Sequence, residues 1–398
     1  MFQHDVCVIG GCGRVGLPLS IAFADKGLSV IVYDLDKSKL QKVSKGIMPF
    51  AEKGCDRLLK KVVASRHLIP TDDPSKISRA KFVVVTIGTP VEEHLNPRYD
   101  DMIKFFDNIR KYLRDGQYII LRSTIYPGTS ENIYAYLKNN GIKIHLAFCP
   151  ERIAEDRALE ELAALPQIVS GFDKKAISQV TNLFNKLTEK IIVIEPIEAE
   201  LAKLFTNNWR YIQFATANQF YMLANKYDID YYRIHHAMTY DYPRTKGLPT
   251  PGFAAGPCLF KDAMQLSAFS NNNYFLGHSA MLVNEGLPNY LVDKLRMRVK
   301  LCDKTVGILG MAFKANSDDE RDSLSFKLRK LLEISSGKVY CSDPYVKRDY
   351  FIGAEKLVKL SDIIILATPH DVYRTLVIPR SKILVDIWNF FNRAGGLL

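Results

Sequence analysis

Six residues, Gly11-Cys12-Gly13-Arg14-Val15-Gly16, constrain this chain more than any others. They follow an apolar, strand-like run at Asp5–Gly10 and open a stretch of helical periodicity. Glycine at the first, third and sixth places lets a strand turn sharply, lets a phosphate approach the backbone, and lets helix and strand pack closely. The helix start, with Val15 in it, aims backbone N–H groups at an anion. Asp34 stands about 20 residues on, at the end of the next strand-like run, where a carboxylate accepts from a ribose 2′-hydroxyl. Asp36 adds a second acid that repels a 2′-phosphate, so the pattern predicts NAD rather than NADP.

Alternation extends this unit. Asp5–Gly10, Leu28–Tyr33, Lys81–Ile87, Gln117–Arg122 and Lys143–Phe148 read as buried strands with amphipathic segments between them. That pattern predicts a parallel sheet covered on both faces. From Pro196 to about Asp228 the pattern becomes one long helix, with Leu201, Leu204, Phe205, Ile212, Ala215 and Phe220 near 3.6-residue spacing. More helix flanks a Pro/Gly-rich loop, Tyr242–Pro257. After Asp303 the alternation returns, with strands expected at Lys304–Leu309, Lys338–Cys341, Asp362–Ala367 and Lys382–Ile387. The two ends echo each other: Asp5–Gly16 matches Lys304–Lys314, Val32–Asp34 matches Tyr340–Asp343, and Phe82–Pro90 matches Ile363–Pro369. The expected fold is α/β, two Rossmann-like doubly wound domains joined by a long central helix, divided as 1–195, 196–300 and 301–398.

Composition narrows the function classes. With 398 residues, 47% of them hydrophobic, the chain can bury two or three cores and is not disordered. No run approaches the ~18 apolar residues of a membrane span, and the strand at Asp5 leaves no room for a signal peptide, so a soluble, cytoplasmic protein is expected. The formal charge is +11, but no dense Lys/Arg block is interleaved with aromatics, so neither nucleic acid nor membrane insertion is expected. Seven cysteines, none at zinc-site spacing, predict neither a disulfide framework nor a metal. Cys7, Cys302 and Cys341 lie in or beside apolar runs and read as small hydrophobes.

Chemistry concentrates in a few places. Thr89-Pro90, Ser123-Thr124 with Pro127-Gly128-Thr129, and Pro150-Glu151 with Glu155 fall at the C-terminal ends of predicted strands, where open α/β sheets bind ligands. On the long helix Glu200, Lys203, Asn207 and Arg210 form a polar stripe beside Trp209, Tyr211, Phe214 and Phe220. Such a stripe is either a solvated face or part of a cavity lining, where Lys and an Asn amide suit a developing oxyanion. The loop Gly252-Phe253-Ala254-Ala255-Gly256-Pro257 delivers Cys258 to a helix start, where the dipole and Lys261 favour the thiolate. Asp262 lies one turn further on the same face.

In this order the pieces resemble the UDP-glucose/GDP-mannose dehydrogenase family, NAD-dependent nucleotide-sugar 6-dehydrogenases. The most specific stretches are Glu-Ala-Glu-x-x-Lys-x-x-x-Asn from Glu198, Cys258-x-x-x-Asp262, and Phe313-Lys314 leading to Asp318-Asp319-x-Arg321. The resemblance implies an NAD-binding domain, a central helical region that pairs subunits into a homodimer or higher oligomer, and a C-terminal UDP-sugar-binding domain. It implies that Asp34, Lys39, Thr89, Thr124, Glu155, Lys261 and Arg321 join Gly11, Gly13, Val15 and Gly16 around NAD. It places Glu151, Arg152, Lys203, Asn207, Lys314 and the Gly252–Cys258 loop (Gly252, Phe253 and Gly256 among them) at the substrate, with Arg244 lent to a neighbouring subunit.

The implied reaction is a four-electron oxidation of a C6 hydroxyl. Asp262 acts as base through water, the Cys258 thiolate takes the aldehyde, Lys203 and Asn207 stabilise the oxyanion, and Thr124 with Glu155 directs hydrolysis. The sequence departs from the family pattern at the loop, where Gly-Phe-Ala-Ala-Gly-Pro-Cys replaces Gly-Phe-Gly-Gly-Ser-Cys, and at Trp388, where many members carry Arg. Pro150-Glu151-Arg152 matches the N-acetylhexosamine branch, so a UDP-N-acetylhexosamine is the expected substrate, with UDP-glucose or GDP-mannose as alternatives. A silent NAD and nucleotide-sugar binder, or a two-domain β-hydroxyacid-type dehydrogenase lacking a catalytic Cys, are the readings from other classes.

Overall fold

The structure is a computed structural model that describes residues 2–88, 99–253, 256 and 258–392. It contains two compact units, Met1–Thr206 and Asn207–Leu398.

The first unit is built on one sheet. Its strands are β1 (His4–Ile9), β2 (Val30–Tyr33), β3 (Leu68–Thr71), β4 (Ala80–Val85), β5 (Tyr118–Leu121), β6 (His145–Phe148), β7 (Gln167–Gly171) and β8 (Ile191–Val193). Their spatial order is β3-β2-β1-β4-β5-β6-β7-β8. Strand β1 pairs in parallel with β2 (Val6 opposite Val30, Val8 opposite Val32) and with β4 (Val6 opposite Phe82, Val8 opposite Val84). Successive side chains leave opposite faces of a strand. Val6, Val8, Val30, Val32 and Val84 therefore enter one apolar layer, while Cys7, Ile9, Ile31, Val83 and Val85 enter the other. Both faces are dry, so these strands read as unbroken apolar runs rather than alternating ones.

The five strands expected from the sequence pair in parallel, and the one antiparallel pairing joins β6 to β7, where Ala147 faces Gly171. Strands β3, β7 and β8 were not expected at all. Strand β3 lies at an edge, carries Pro70 and leaves Ile69 exposed, while β8 is a three-residue edge with Ile192 and Val193 exposed. Edge strands tolerate Pro and need no apolar pattern.

In the second unit β9 (Thr305–Leu309), β10 (Lys338–Ser342), β11 (Ile363–Leu366) and β12 (Ile383–Val385) form a parallel sheet ordered β10-β9-β11-β12. Gly307 in β9 has no room for a side chain, because a Cβ would lie 2.3 Å from Leu357 of the helix Ala354–Leu360. That helix therefore packs close to the strand. The order places a crossover between β9 and β11, as the first sheet has between β1 and β4, and ligands of doubly wound sheets bind beyond such a point.

The long helix spans Pro196–Ala224, and three more follow at Tyr231–Thr239, Leu259–Phe269 and Phe275–Arg298. Among the described residues no helix is long and apolar enough to cross a membrane.

Candidate active site

At the C-terminal edge of the first sheet, the glycine loop forms the cradle its sequence requires. A Cβ on Gly11 would lie 2.7 Å from the Val8 carbonyl oxygen, and one on Gly16 would lie 2.6 Å from that of Gly10. The helix Gly16–Asp25 starts at Val15 with no side-chain cap and no acid in its first turn, which leaves its dipole to an outside anion. Asp34 Oδ2 accepts from the Cys12 N–H at 2.9 Å and Oδ1 from the Asp36 N–H at 3.0 Å. Each oxygen keeps acceptor capacity, so the carboxylate is oriented for a ribose hydroxyl. These residues fit NAD: glycines where nothing larger fits, an uncapped helix start, and an aimed acid.

The neighbouring expected residues have defined surroundings. Lys39 Nζ lies 3.2 Å from Asp36, whose own carboxylate caps the helix Lys37–Ser44. Hydrogen bonds from the Lys39 backbone N–H and then from the Lys39 side chain hold the Asp36 carboxyl below its ordinary range. Arg14, inside the glycine loop, lies 3.7 Å from Glu155 and over the Phe50 ring. Thr124 follows β5, next to Ser123, whose hydroxyl donates to the Ile87 carbonyl at 2.6 Å. Thr89 lies outside the described residues.

Buried polar groups hold this edge together, and Arg122, Gln167 and Glu52 among them carry no signal in the sequence. Arg122, 1% exposed, donates to Glu151 Oε2 at 2.8 Å, to the Cys149 carbonyl at 3.1 Å and to Gln167 at 3.0 Å. The other oxygen of Glu151 accepts from the Arg152 and Ile153 N–H groups at 2.7 and 2.9 Å. Glu151 thus fixes the turn after β6 from inside. Arg152 turns its guanidinium to the Pro166 carbonyl. Glu52, also buried, accepts from the Asp156 and Ala158 N–H groups at 2.9 Å each and so orders the chain just after Glu155. Glu200 is not solvated: it accepts from the Gly128 and Ser130 N–H groups at 2.6 and 2.9 Å and caps the helix Thr129–Asn139. The stripe's other first-unit member, Lys203, is half-buried.

In the second unit Cys258 is exposed at the N-cap of the helix Leu259–Phe269. Its carbonyl accepts from the Asp262 N–H at 2.9 Å. Asp262 is fully buried and accepts from Asn207 Nδ2 at 2.5 Å; its backbone carbonyl accepts from Asn208 Nδ2 at 3.2 Å. Lys261 Nζ is 3.5 Å from the remaining oxygen, Oδ1. Asn207 and Asp262, expected at one site, therefore touch, and they do so one helical turn from the thiol. Cys302, by contrast, is exposed beside Asp303, not the small buried hydrophobe expected. Its neighbouring apolar residues point inward from a short turn, Leu301–Asp303, which leaves the thiol outside.

The edge of the second sheet repeats the design of the first. Asp343, just past β10, accepts from the Met311 and Ala312 N–H groups at 2.6 and 3.0 Å, as Asp34 does from Cys12. Lys314 lies on the segment that follows, half-buried. Arg321 grips the buried Asp319 through Nε at 2.9 Å and Nη2 at 2.5 Å. Phe253 is buried, and Gly252 and Gly256 pack directly on the rings of Trp388 and Phe313. Arg244 is exposed and lies over the Tyr242 ring.

Models of the UDP-glucose/GDP-mannose dehydrogenase family match the chain in three places: the NAD binding domain over 4–188, the central domain over 197–285 and the UDP binding domain over 307–393. The chain is 29% identical over 395 residues to a UDP-N-acetyl-D-mannosamine dehydrogenase of Pyrococcus horikoshii, covering 94% of this chain and 93% of that protein. It is 27% identical over 413 residues to a UDP-glucose 6-dehydrogenase of Rickettsia conorii, covering 96% and 94%. The structure of the P. horikoshii UDP-D-ManNAc dehydrogenase superposes with a TM-score of 0.87 at 28% identity, covering 94% of this chain and 91% of that one. A UDP-glucose dehydrogenase from Pyrobaculum islandicum also gives 0.87, at 25% identity, covering 96% and 94%.

Proposed function

The chain belongs to the UDP-glucose/GDP-mannose dehydrogenase family and is an NAD-dependent nucleotide-sugar dehydrogenase; from that premise we propose that it oxidises the C6 hydroxyl of a UDP-N-acetylhexosamine to the carboxylate through a covalent bond to Cys258. The observation that carries this reading is the exposed Cys258 at a helix start, one turn from the buried Asn207–Asp262 pair.

Gly11, Gly13, Val15, Gly16 and Asp34 hold NAD⁺, with Lys39, Thr89, Thr124, Glu155, Lys261 and Arg321 as further proposed contacts. NAD⁺ supplies the hydride acceptor for two successive oxidations. Asp262, working through a water, removes the proton of the C6 hydroxyl as the alcohol becomes an aldehyde. The Cys258 thiolate, favoured by the helix dipole, adds to that aldehyde, and Lys203 and Asn207 stabilise the alkoxide formed. A second oxidation of this thiohemiacetal gives a thioester. Water held by Thr124 and deprotonated by Glu155 cleaves it to the acid and returns the thiol. Glu151 and Arg152 build the wall of the sugar site, Gly252, Phe253, Gly256 and Lys314 contact the nucleotide sugar, and Arg244 reaches a neighbouring subunit's substrate in a homodimer or higher oligomer. We assign these roles to three regions, 1–195, 196–300 and 301–398.

Support for the N-acetylhexosamine comes from Pro150-Glu151-Arg152 and from relatives named UDP-N-acetyl-D-mannosamine dehydrogenase. We place its work in the cytoplasm, where the uronate would feed polysaccharide synthesis. UDP-N-acetylmannosamine, UDP-N-acetylglucosamine, UDP-glucose and GDP-mannose assayed side by side with NAD⁺ test the reading. Two NADH per molecule with one of the two N-acetylated sugars are expected. One NADH per sugar, none, or exclusive use of UDP-glucose or GDP-mannose overturns it.

A further inference from the structure

The segment that leads to Cys258 opens on a residue held from two sides. Gly252 donates its N–H to Asn218 Oδ1 at 2.8 Å, and its carbonyl accepts from Asn218 Nδ2 at 3.1 Å. A backbone N–H only donates, so the amide of Asn218 has one orientation, oxygen toward that N–H. The other hydrogen of Nδ2 goes to Asn284 Oδ1 at 2.9 Å, and Asn284 in turn donates to the Tyr211 carbonyl at 3.1 Å. Asn218 and Asn284 are both fully buried. A buried polar chain satisfied in this way holds a single arrangement, because each alternative strands a donor or an acceptor.

The other side of Gly252 is closed by an aromatic ring. A Cβ there would lie 2.2 Å from Cη2 and Cζ3 of Trp388, whose Nε1–H donates to the Ala367 carbonyl at 3.2 Å. Glycine at 252 is thus required by contact, and its backbone is fixed between an amide and an indole. No expectation from the sequence involved Asn218.

We infer that Asn218 is a positioning residue for the dehydrogenase reaction: it clamps the Gly252 backbone against Trp388 and thereby sets the start of the segment that presents the Cys258 thiol. The inference rests on the role proposed above for Cys258. Asn218 acts through Gly252, and only a planar group with a donor and an acceptor side by side makes both bonds. Alanine makes neither. A protonated Asp carboxyl makes both, and its ionised form makes only one.

The test uses the full chain and compares wild type, Asn218→Ala and Asn218→Asp. Amide exchange at Gly252 is read by hydrogen–deuterium exchange, and kcat and KM are measured with UDP-N-acetylmannosamine and NAD⁺. In Asn218→Ala, exchange at Gly252 is expected to speed up at least tenfold while that of β9 stays unchanged. Its kcat is expected to fall at least tenfold while the KM for NAD⁺ stays within twofold. For Asn218→Asp, kcat relative to wild type is expected to recover as pH falls from about 8 to about 6, as the carboxyl takes up its proton. A folded Asn218→Ala with wild-type kcat overturns the inference, and so does unchanged exchange at Gly252. If no variant folds, the wild type decides: a Gly252 amide exchanging as fast as that of the exposed Gly247 ends the proposal. Exchange needs no substrate, so failure of the wild type to oxidise any nucleotide sugar counts against the proposed function alone.

Discussion

His370 donates its Nε2–H to Asp343 Oδ2 across 3.0 Å, with both side chains closed to solvent. The tautomer follows from the partner on the far side, because the Asn316 N–H donates to Nδ1 at 2.9 Å and leaves the hydrogen to Nε2. Burial works against the Asp343 carboxylate, but His370 and the surrounding N–H groups outweigh it and hold its pKa below the ordinary value. A lowered carboxyl pKa adds stability above the unfolded value, near 3.9, and loses it as pH falls through the folded one. Asp343→Asn is therefore expected to cost about 3 kcal/mol at pH 7, since it strands buried donors. Denaturant unfolding as a function of pH checks this: the gap to wild type should close below about pH 4, and a gap constant with pH would contradict the assignment.

Thiol labelling should divide the seven cysteines by exposure. Burial pushes Cys12, Cys55, Cys149 and Cys341 up to about 12 and Cys7 higher still. At about pH 8 these five stay protonated and enclosed, whereas Cys258 and Cys302 are exposed. Iodoacetamide followed by peptide mass spectrometry should modify those two alone, and saturating nucleotide sugar should protect only Cys258. Cys258→Ala should lower formation of the acid by about 10³-fold or more. Two-NADH turnover by that variant would rule out the covalent route.

The cofactor contact proposed for Asp34 predicts a preference. Its carboxylate is aimed by two backbone N–H groups, and a charged hydrogen bond to a ribose hydroxyl contributes roughly 1.5–3 kcal/mol. NAD⁺ is therefore expected to exceed NADP⁺ in kcat/KM by about tenfold or more, and Asp34→Ser should narrow that ratio from the NAD⁺ side. Equal use of both cofactors by the wild type would refute it.

Glu200 gives a pH signature of the opposite sign. Burial, its largest influence, raises its pKa despite the N–H groups of Ser130 and Gly128. A raised carboxyl pKa contributes most below the unfolded value, near 4.3, and that contribution is lost as pH rises through the folded one. Glu200→Gln places an NH₂ group against one of those N–H donors and should destabilise the protein by about 1–2 kcal/mol. The wild type's advantage over the variant should shrink as pH climbs out of the ordinary glutamate range. Thermal unfolding of both proteins from about pH 4 to 8 measures it, and an advantage that grows with pH would contradict the burial argument.

Much of the fold was readable because the central strands are dry on both faces. The apolar runs around Val6–Ile9, Val83–Val85 and Ile363–Leu366 carry no competing period. Strands β3 and β8 escaped because edge positions impose no such pattern, and Pro70 argued against one of them; β7 is interior and buried, but its apolar run is only Ile168-Val169 between Gln167 and Ser170. In the candidate site, residues carried by motifs could be named from spacing: the glycine loop with Asp34, and Cys258 with Asp262. Groups whose importance comes from burial could not. Arg122, Glu52, Asn218 and His370 are each isolated polar letters in the sequence, and only the fold shows that each satisfies several backbone or side-chain partners. Glu200 was read as part of a helix stripe when its partners are the backbone of another helix's first turn.

The fit of Gly252 beneath the Trp388 indole bears on how this protein can be re-engineered. The two positions form one unit of inheritance even though the whole C-terminal sheet separates them in the chain. A chimera that imports a relative's thiol-bearing loop, but keeps the tryptophan, brings a backbone shaped for a different ceiling. A graft that carries both positions keeps floor and ceiling matched, so recombination breakpoints between residues 252 and 388 should be the ones that yield folded but inactive hybrids.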